Sequence, residues 1–250
     1  MCPQDEASTR RTHRYGDHPD QHGELFLPRG EPRAGVAVLL HGGFWRARYD
    51  RRLMDGLCED LARAGLPVWN LEYRRLPEGG WPEISADVAA GIDAIAEIGL
   101  DSSRVVAIGH SAGGHLGLWA AARPRAEQRV AVTHVVSQAG VADLREAARL
   151  ELSSGAVHDF LGGTPDEVPE RYAVASPAEL LPLGVPQLLV HGGRDRTVPA
   201  SISRDYAERA LAAGDDVELV IDPRGGHFEH LDPSSELWRA VRDWLDRRFR

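Results

Sequence analysis

Short apolar runs punctuate the chain at regular intervals. Val36-Ala37-Val38-Leu39-Leu40, Val68 to Tyr73, Val105 to Ile108, Thr133 to Ser137, Leu188-Leu189-Val190 and Val217 to Ile221 have the length and aliphatic character of buried strands. Between them apolar residues recur with a helical period, as at Leu53, Leu57, Leu61 and Ala64, where Gly65 stops the run. Further helices are predicted over Pro82 to Ile98, Leu116 to Ala122, Ala142 to Leu150, Ala200 to Ala213 and a last stretch through Trp238, Val241 and Leu245. Glu24 to Pro28 reads as a short first strand, and the polar residues 1–23 as a flexible or loosely docked arm. Alternating strands and helices predict an α/β fold, a doubly wound and mostly parallel sheet forming a single domain over 24–250, with its site at the carboxyl ends of the strands. Residues 140–186 exceed a plain crossover and hold Pro177, Pro182 and Pro186. They are expected to form a small lid or cap region or, equally, an elaborated crossover.

Composition narrows the partners. At 250 residues and 42% hydrophobic content the chain can bury a full core, and its formal charge of −9 argues against nucleic acid or an anionic membrane surface. All 29 basic residues are arginine, a compositional habit without functional content. Cys2 and Cys58 are too few for a disulfide framework and lie in no metal-ligand spacing, which predicts a reducing compartment. The polar start shows neither a signal peptide nor a membrane span, so a cytoplasmic location is expected. A homodimer is left open.

The chemistry concentrates where the apolar run Val105 to Ile108 enters Gly109-His110-Ser111-Ala112-Gly113-Gly114. Strand, Gly-x-Ser-x-Gly and helix in succession form a nucleophile elbow: the sharp turn presents the Ser111 hydroxyl clear of its neighbours and aims helix N–H groups at developing negative charge. Two further groups follow later strands. Asp195 stands in His191-Gly192-Gly193-Arg194-Asp195, and His227 follows Gly225-Gly226. A serine hydroxyl needs an imidazole to accept its proton, and the imidazole needs a carboxylate to fix its tautomer, so Ser111, Asp195 and His227 are the candidate catalytic set. Asp222 is the competing acid and His230 the competing base. His110, His115, His191 and His41 are read as supporting residues. Ala112 N–H and the Gly43 and Phe44 N–H groups of the His41-Gly42-Gly43-Phe44-Trp45 loop are the expected oxyanion donors.

These pieces together resemble the α/β-hydrolase superfamily from about Glu24 onward. His-Gly-Gly-x-Trp looks like the motif of kynurenine formamidases (arylformamidases) and related small carboxylesterases. Hormone-sensitive-lipase-like esterases usually carry a third glycine where this chain has Phe44. The resemblance implies a serine hydrolase that cleaves an ester, activated amide or formamide of a small molecule through an acyl-enzyme, with no metal and no cofactor. Trp45 and Phe44 would then give the substrate pocket an aromatic wall or, equally, pack beneath the lid. The alternatives are a prolyl-oligopeptidase-like exopeptidase, a lyase or dehydratase, and a ligand-binding receptor on the same fold.

Overall fold

The computed structural model describes residues 8–249. Eight strands make one sheet: β1 (Ser8–Arg14), β2 (His22–Pro28), β3 (Val36–Leu40), β4 (Val68–Leu71), β5 (Val105–His110), β6 (His134–Gln138), β7 (Gln187–Gly192) and β8 (Val217–Asp222), in the order β1-β2-β4-β3-β5-β6-β7-β8. From β4 to β8 every pairing is parallel, and β1 and β2 add an antiparallel edge. The helices are α1 (Asp55–Arg63), α2 (Trp81–Asp93), α3 (Ala112–Ala122), α4 (Leu144–Arg149), α5 (Leu152–Leu161), α6 (Pro169–Ala175), α7 (Ala200–Ala212) and α8 (Glu236–Arg248). The predicted doubly wound α/β architecture is therefore the observed one.

Strand β3 shows why its sequence is apolar throughout. Val36, Val38 and Leu40 pack on one face with Trp81 of α2, Leu116 of α3 and Tyr206 of α7, while Ala37 and Leu39 pack on the other with Leu57 of α1 and Trp238 and Trp244 of α8. Both faces are covered, so alternation would bury polar groups without partners. Helix α3 follows the same logic: only Trp119 and Ala122 are partly exposed, and its small residues let it lie close to β5 and β6.

One expectation needs correction. Residues 8–14 are a paired strand and not a loose arm, and His22 and Gly23 of that predicted arm begin β2; its residues 1–7 lie outside the described residues. β1 escaped the apolar pattern because it is an edge strand, STRRTHR, whose Arg10 pairs with Asp55 and Glu59 and lies 4.5 Å over the Phe26 ring. Charge on an exposed edge also discourages pairing with another chain. Within 140–186 the helical piece expected over Ala142 to Leu150 is α4, whose first turn is capped by Asp143 accepting from the Arg145 and Glu146 N–H groups, and α5 and α6 follow it. The start of α5 is left-handed, with φ of 48° at Glu151, 50° at Ser153 and 56° at Ser154. Among the described residues no helix is long and apolar enough to cross a membrane.

Candidate active site

The elbow is built by close backbone approach. A Cβ on Gly109 would stand 2.0 Å from the Gly113 carbonyl oxygen, and one on Gly113 would stand 2.0 Å from that of Leu40. Only glycine fits either position. Ser111, between them, takes φ 56° and ψ −116°, a strained conformation for a residue with a side chain. Its N–H donates to the Gln138 carbonyl at 2.8 Å, and the Gln138 side chain donates to the His230 carbonyl at 3.1 Å, so one residue of β6 ties the elbow to the loop carrying His227. The Ser111 hydroxyl is buried and, among the described residues, makes no hydrogen bond.

The structure brings Asp195 and His227 together. His227 Nδ1 donates to Asp195 Oδ2 at 2.6 Å, which leaves Nε2 as the basic nitrogen of the ring. Asp195 Oδ1 accepts from the N–H groups of Thr197 (2.7 Å) and Val198 (2.9 Å), and His191 Nε2 lies 3.2 Å from Oδ2. Burial pushes this carboxyl up, but the hydrogen bonds from His191, His227 and Val198 outweigh it and hold it well below the ordinary carboxylate range. The competing acid, Asp222, instead accepts from the Arg224 N–H in its own turn. His227 and Ser111 line one cavity, whereas His230 does not.

The remaining histidines have distinct partners. His110 Nε2 donates to the His227 carbonyl at 2.8 Å, so the residue before the candidate nucleophile holds the backbone of the candidate base. Burial and the neighbouring His227 push His110 down to about 3, and burial pushes His115 down to about 4. His230, buried beside His110 and His191, also lies well below its ordinary value. His191 donates to the Val198 carbonyl and accepts from Ser203.

The loop after β3 is strained in the same manner as the elbow. Gly43, Phe44 and Trp45 have φ of 120°, 51° and 58°, a run that only a tightly determined surrounding sustains. His41 anchors it: Nδ1 faces the Gly42 carbonyl at 2.8 Å and Nε2 faces Glu72 Oε1 at 2.9 Å. Burial raises the Glu72 carboxyl, yet the His41 hydrogen bond, the charges of His41 and Arg75 and the Arg51 N–H bring it below its usual value. Sequence reading missed Glu72, although a carboxylate directly after a buried strand, in Leu71-Glu72-Tyr73, was the available signal. Among the described residues, the N–H groups of Gly43, Phe44 and Ala112 donate to no backbone or side-chain acceptor.

The cavity over Ser111 measures about 240 Å³ and is walled by Phe44, Tyr49, Leu53, Thr197 and Phe228, with Arg46, Arg48 and Ser153 also contributing. Ser153 brings the 140–186 region to the site. Trp45 does not reach the wall, which corrects the expected pocket. It is 1% exposed and stacks on Phe160 of α5 with ring centroids 4.1 Å apart, joining the loop to the insertion. The one group of potential metal ligands found among the described residues, His18, Asp20 and Glu78, lies elsewhere. There His18 Nδ1 accepts from the Asp20 N–H, so Nε2 carries the proton, and Asp20 is paired with Arg75.

Known proteins share this arrangement of elements. The solved structure titled a truncated carbohydrate esterase from gut microbiota superposes with a TM-score of 0.86 at 21% identity, covering 98% of each chain. A bacterial heroin esterase superposes with a TM-score of 0.78 at 24% identity, covering 96% of this chain and 83% of the other. Among curated sequences, the esterase LipC of Mycobacterium tuberculosis is 29% identical, and the isoprenylcysteine alpha-carbonyl methylesterase ICME of Arabidopsis thaliana is 27% identical. Each of these matches covers 89% of this chain and 60% of the relative, so the chain spans somewhat more than half the length of either protein. The BD-FAE family pattern matches residues 24–210, which include the elbow, the strained loop and Asp195; the chain belongs to the BD-FAE family, within the α/β-hydrolase superfamily.

Proposed function

We propose that this chain is a serine carboxylesterase acting on small esters, with Ser111 as nucleophile, His227 as general base and acid, and Asp195 as the residue that orients His227. The observation that carries the reading is the 2.6 Å hydrogen bond from His227 to a buried, strongly acidic Asp195, with the ring and Ser111 in one cavity. His227 Nε2 takes the Ser111 proton as Oγ attacks the ester carbonyl. The tetrahedral oxyanion is bound by the free N–H groups of Gly43, Phe44 and Ala112. Collapse releases the alcohol, which receives the proton from His227, and leaves an acyl-Ser111. Water, deprotonated by His227, attacks the acyl carbon, and Ser111 leaves with the proton as the carboxylic acid forms.

The cavity favours a short acyl group, since about 240 Å³ is below the range of pockets that hold drug-sized ligands. Formamide hydrolysis drew support from an aromatic wall at Trp45, and with that ring packed against Phe160 the ester reading is the better supported. Relatives and structural neighbours whose names denote esterases point the same way. The test is hydrolysis of p-nitrophenyl acetate and labelling by a fluorophosphonate. Turnover and label in the natural chain, and neither in Ser111→Ala, is the expected result. Equal turnover in both proteins overturns the assignment, and turnover of aminoacyl-arylamides or tight binding without turnover would move it to a peptidase or a receptor.

A further inference from the structure

We propose that the ester this cavity takes carries a second, ionised carboxylate, bound at the rim by Arg48; the inference rests on the esterase reading above. The wall of the cavity contains two arginines, Arg46 and Arg48, and no aspartate or glutamate. Arginines in the surrounding sequence are otherwise neutralised: Arg46 meets Asp159, Arg51 meets Glu24, Arg52 meets Asp50, Arg63 meets Asp60, Arg74 meets Asp87 and Arg75 meets Asp20. Among the described residues Arg48 has no such partner. Its guanidinium lies 5.4 Å from the centre of the Tyr49 ring, which also faces the cavity.

In a chain of net charge −9, an uncompensated cation at the mouth of a narrow cavity reverses the local field and draws anions inward. A guanidinium offers parallel N–H donors that match the two oxygens of a carboxylate. A phosphate dianion fits less well, because the second cation of the wall is already committed to Asp159. The small volume sets the class: a short ester whose acyl or alcohol half ends in a carboxylate. Arg48 is exposed, so water competes and the gain is modest, about two- to fivefold.

The experiment measures kcat/KM for two matched pairs: p-nitrophenyl hemisuccinate against p-nitrophenyl butyrate, with the charge on the acyl side, and 4-acetoxybenzoate against phenyl acetate, with the charge on the alcohol side. Each is run on the natural chain, Arg48→Gln and Arg48→Lys. In at least one pair the ratio of anionic to neutral substrate should fall about two- to fivefold in Arg48→Gln, chiefly through KM. Arg48→Lys should restore part of it, and about 0.5 M NaCl should shrink the natural chain's ratio toward that of Arg48→Gln. A ratio unmoved in both pairs, or an equal fall on charged and neutral esters, overturns the proposal. If the natural chain hydrolyses none of the four esters, the esterase reading fails and takes this inference with it. Hydrolysis of the neutral esters with an unmoved ratio removes Arg48 alone.

Discussion

Gly113 belongs to the elbow that carries Ser111 to the cavity, where a single methyl group would meet the Leu40 carbonyl, while Arg48 stands at the rim, exposed and, among the described residues, without an ionic partner. The floor is fixed by backbone: strained φ at Ser111 and Phe44, glycine contacts between β3, β5 and α3, and buried hydrogen bonds from His110, His191 and Gln138. The rim is made of long side chains of Arg46, Arg48 and Tyr49 and of the left-handed segment at Ser153. Position of the proposed nucleophile thus depends on packing that tolerates no change, and choice of substrate depends on groups that can be exchanged without disturbing the sheet. Substitutions in the two regions should therefore separate cleanly in their effects.

The largest effect belongs to the floor. Ser111→Ala or Asp195→Asn should lower ester turnover by about 10⁴-fold or more. In Ser111→Ala the melting temperature should hold or rise, because the hydroxyl is buried without a hydrogen-bond partner and its removal relieves that cost. A matched loss of stability and turnover would mean that Ser111 is structural.

Trp45 sharpens the comparison, because sequence reading left it between the wall and packing under the lid, and the structure puts it beneath. Its face-to-face contact with Phe160 and its edge contact with His115 make Trp45→Ala a cavity-forming change that should cost about 3–5 kcal/mol in urea unfolding. An unchanged midpoint with an altered preference for aryl esters would return Trp45 to the pocket. Gly113→Ala comes next. The added methyl forces α3 away from β3, which should cost about 1–3 kcal/mol and lower turnover with it, whereas an active Gly113→Ala of natural stability would break the claim that the floor is rigid.

Acid should weaken the floor before it touches the rim. His110, His115 and His230 are buried and, in the native protein, bind a proton only well below 6.5, with His110 near 3 and His115 near 4. The unfolded chain protonates them near 6.5, so stability is full above that pH and is lost as pH falls from there toward the native values. Each histidine contributes a slope of about 1.4 kcal/mol per pH unit. Asp195 and Glu72, lowered in the native state, add their loss only below the unfolded carboxylate values of about 4. Urea midpoints measured at steps between about pH 7 and pH 5 should decline, and His115→Met should flatten the decline by one proton. A level profile would show that the buried rings are protonated in place.

The comparison also marks what was legible in the sequence. Elements covered on both faces, such as β3 and β5, announce themselves as unbroken apolar runs, and Gly109, Ser111 and Gly113 at a strand end admit few other readings. Asp195 and His227 follow strands at the same edge of the sheet, so parallel topology alone brings them near Ser111. β1 was hidden because an edge strand guarded by arginine has no apolar signature. Trp45 was left undecided because an aromatic beside a strained loop looks the same from the sequence whether it faces a substrate or Phe160, which lies far along the chain. Glu72, Gln138 and Arg48 were passed over because their parts depend on partners, or the lack of one, that only the folded chain reveals.

The smallest effect tests the rim itself. Arg46 reaches across from the strained loop to Asp159 at 2.8 Å, to the Ser153 carbonyl at 3.1 Å and to the Ser153 hydroxyl at 3.3 Å. Both charged side chains are well exposed, at 37% and 58%, so water and salt weaken the pair. Removing it by Asp159→Ala should cost about 0.2–1 kcal/mol, a shift of only a few degrees in melting temperature. Its consequence for substrate is more informative than its energy. With Asp159 gone, Arg46 becomes a second uncompensated cation on a wall that has no carboxylate, and the ratio of anionic to neutral ester turnover should rise. Arg46→Ala should not raise it, and the double variant should behave as Arg46→Ala does. If Asp159→Ala and Arg46→Ala instead change the ratio alike, the pair acts by holding Ser153 in place, and charge at the rim is not what selects the substrate.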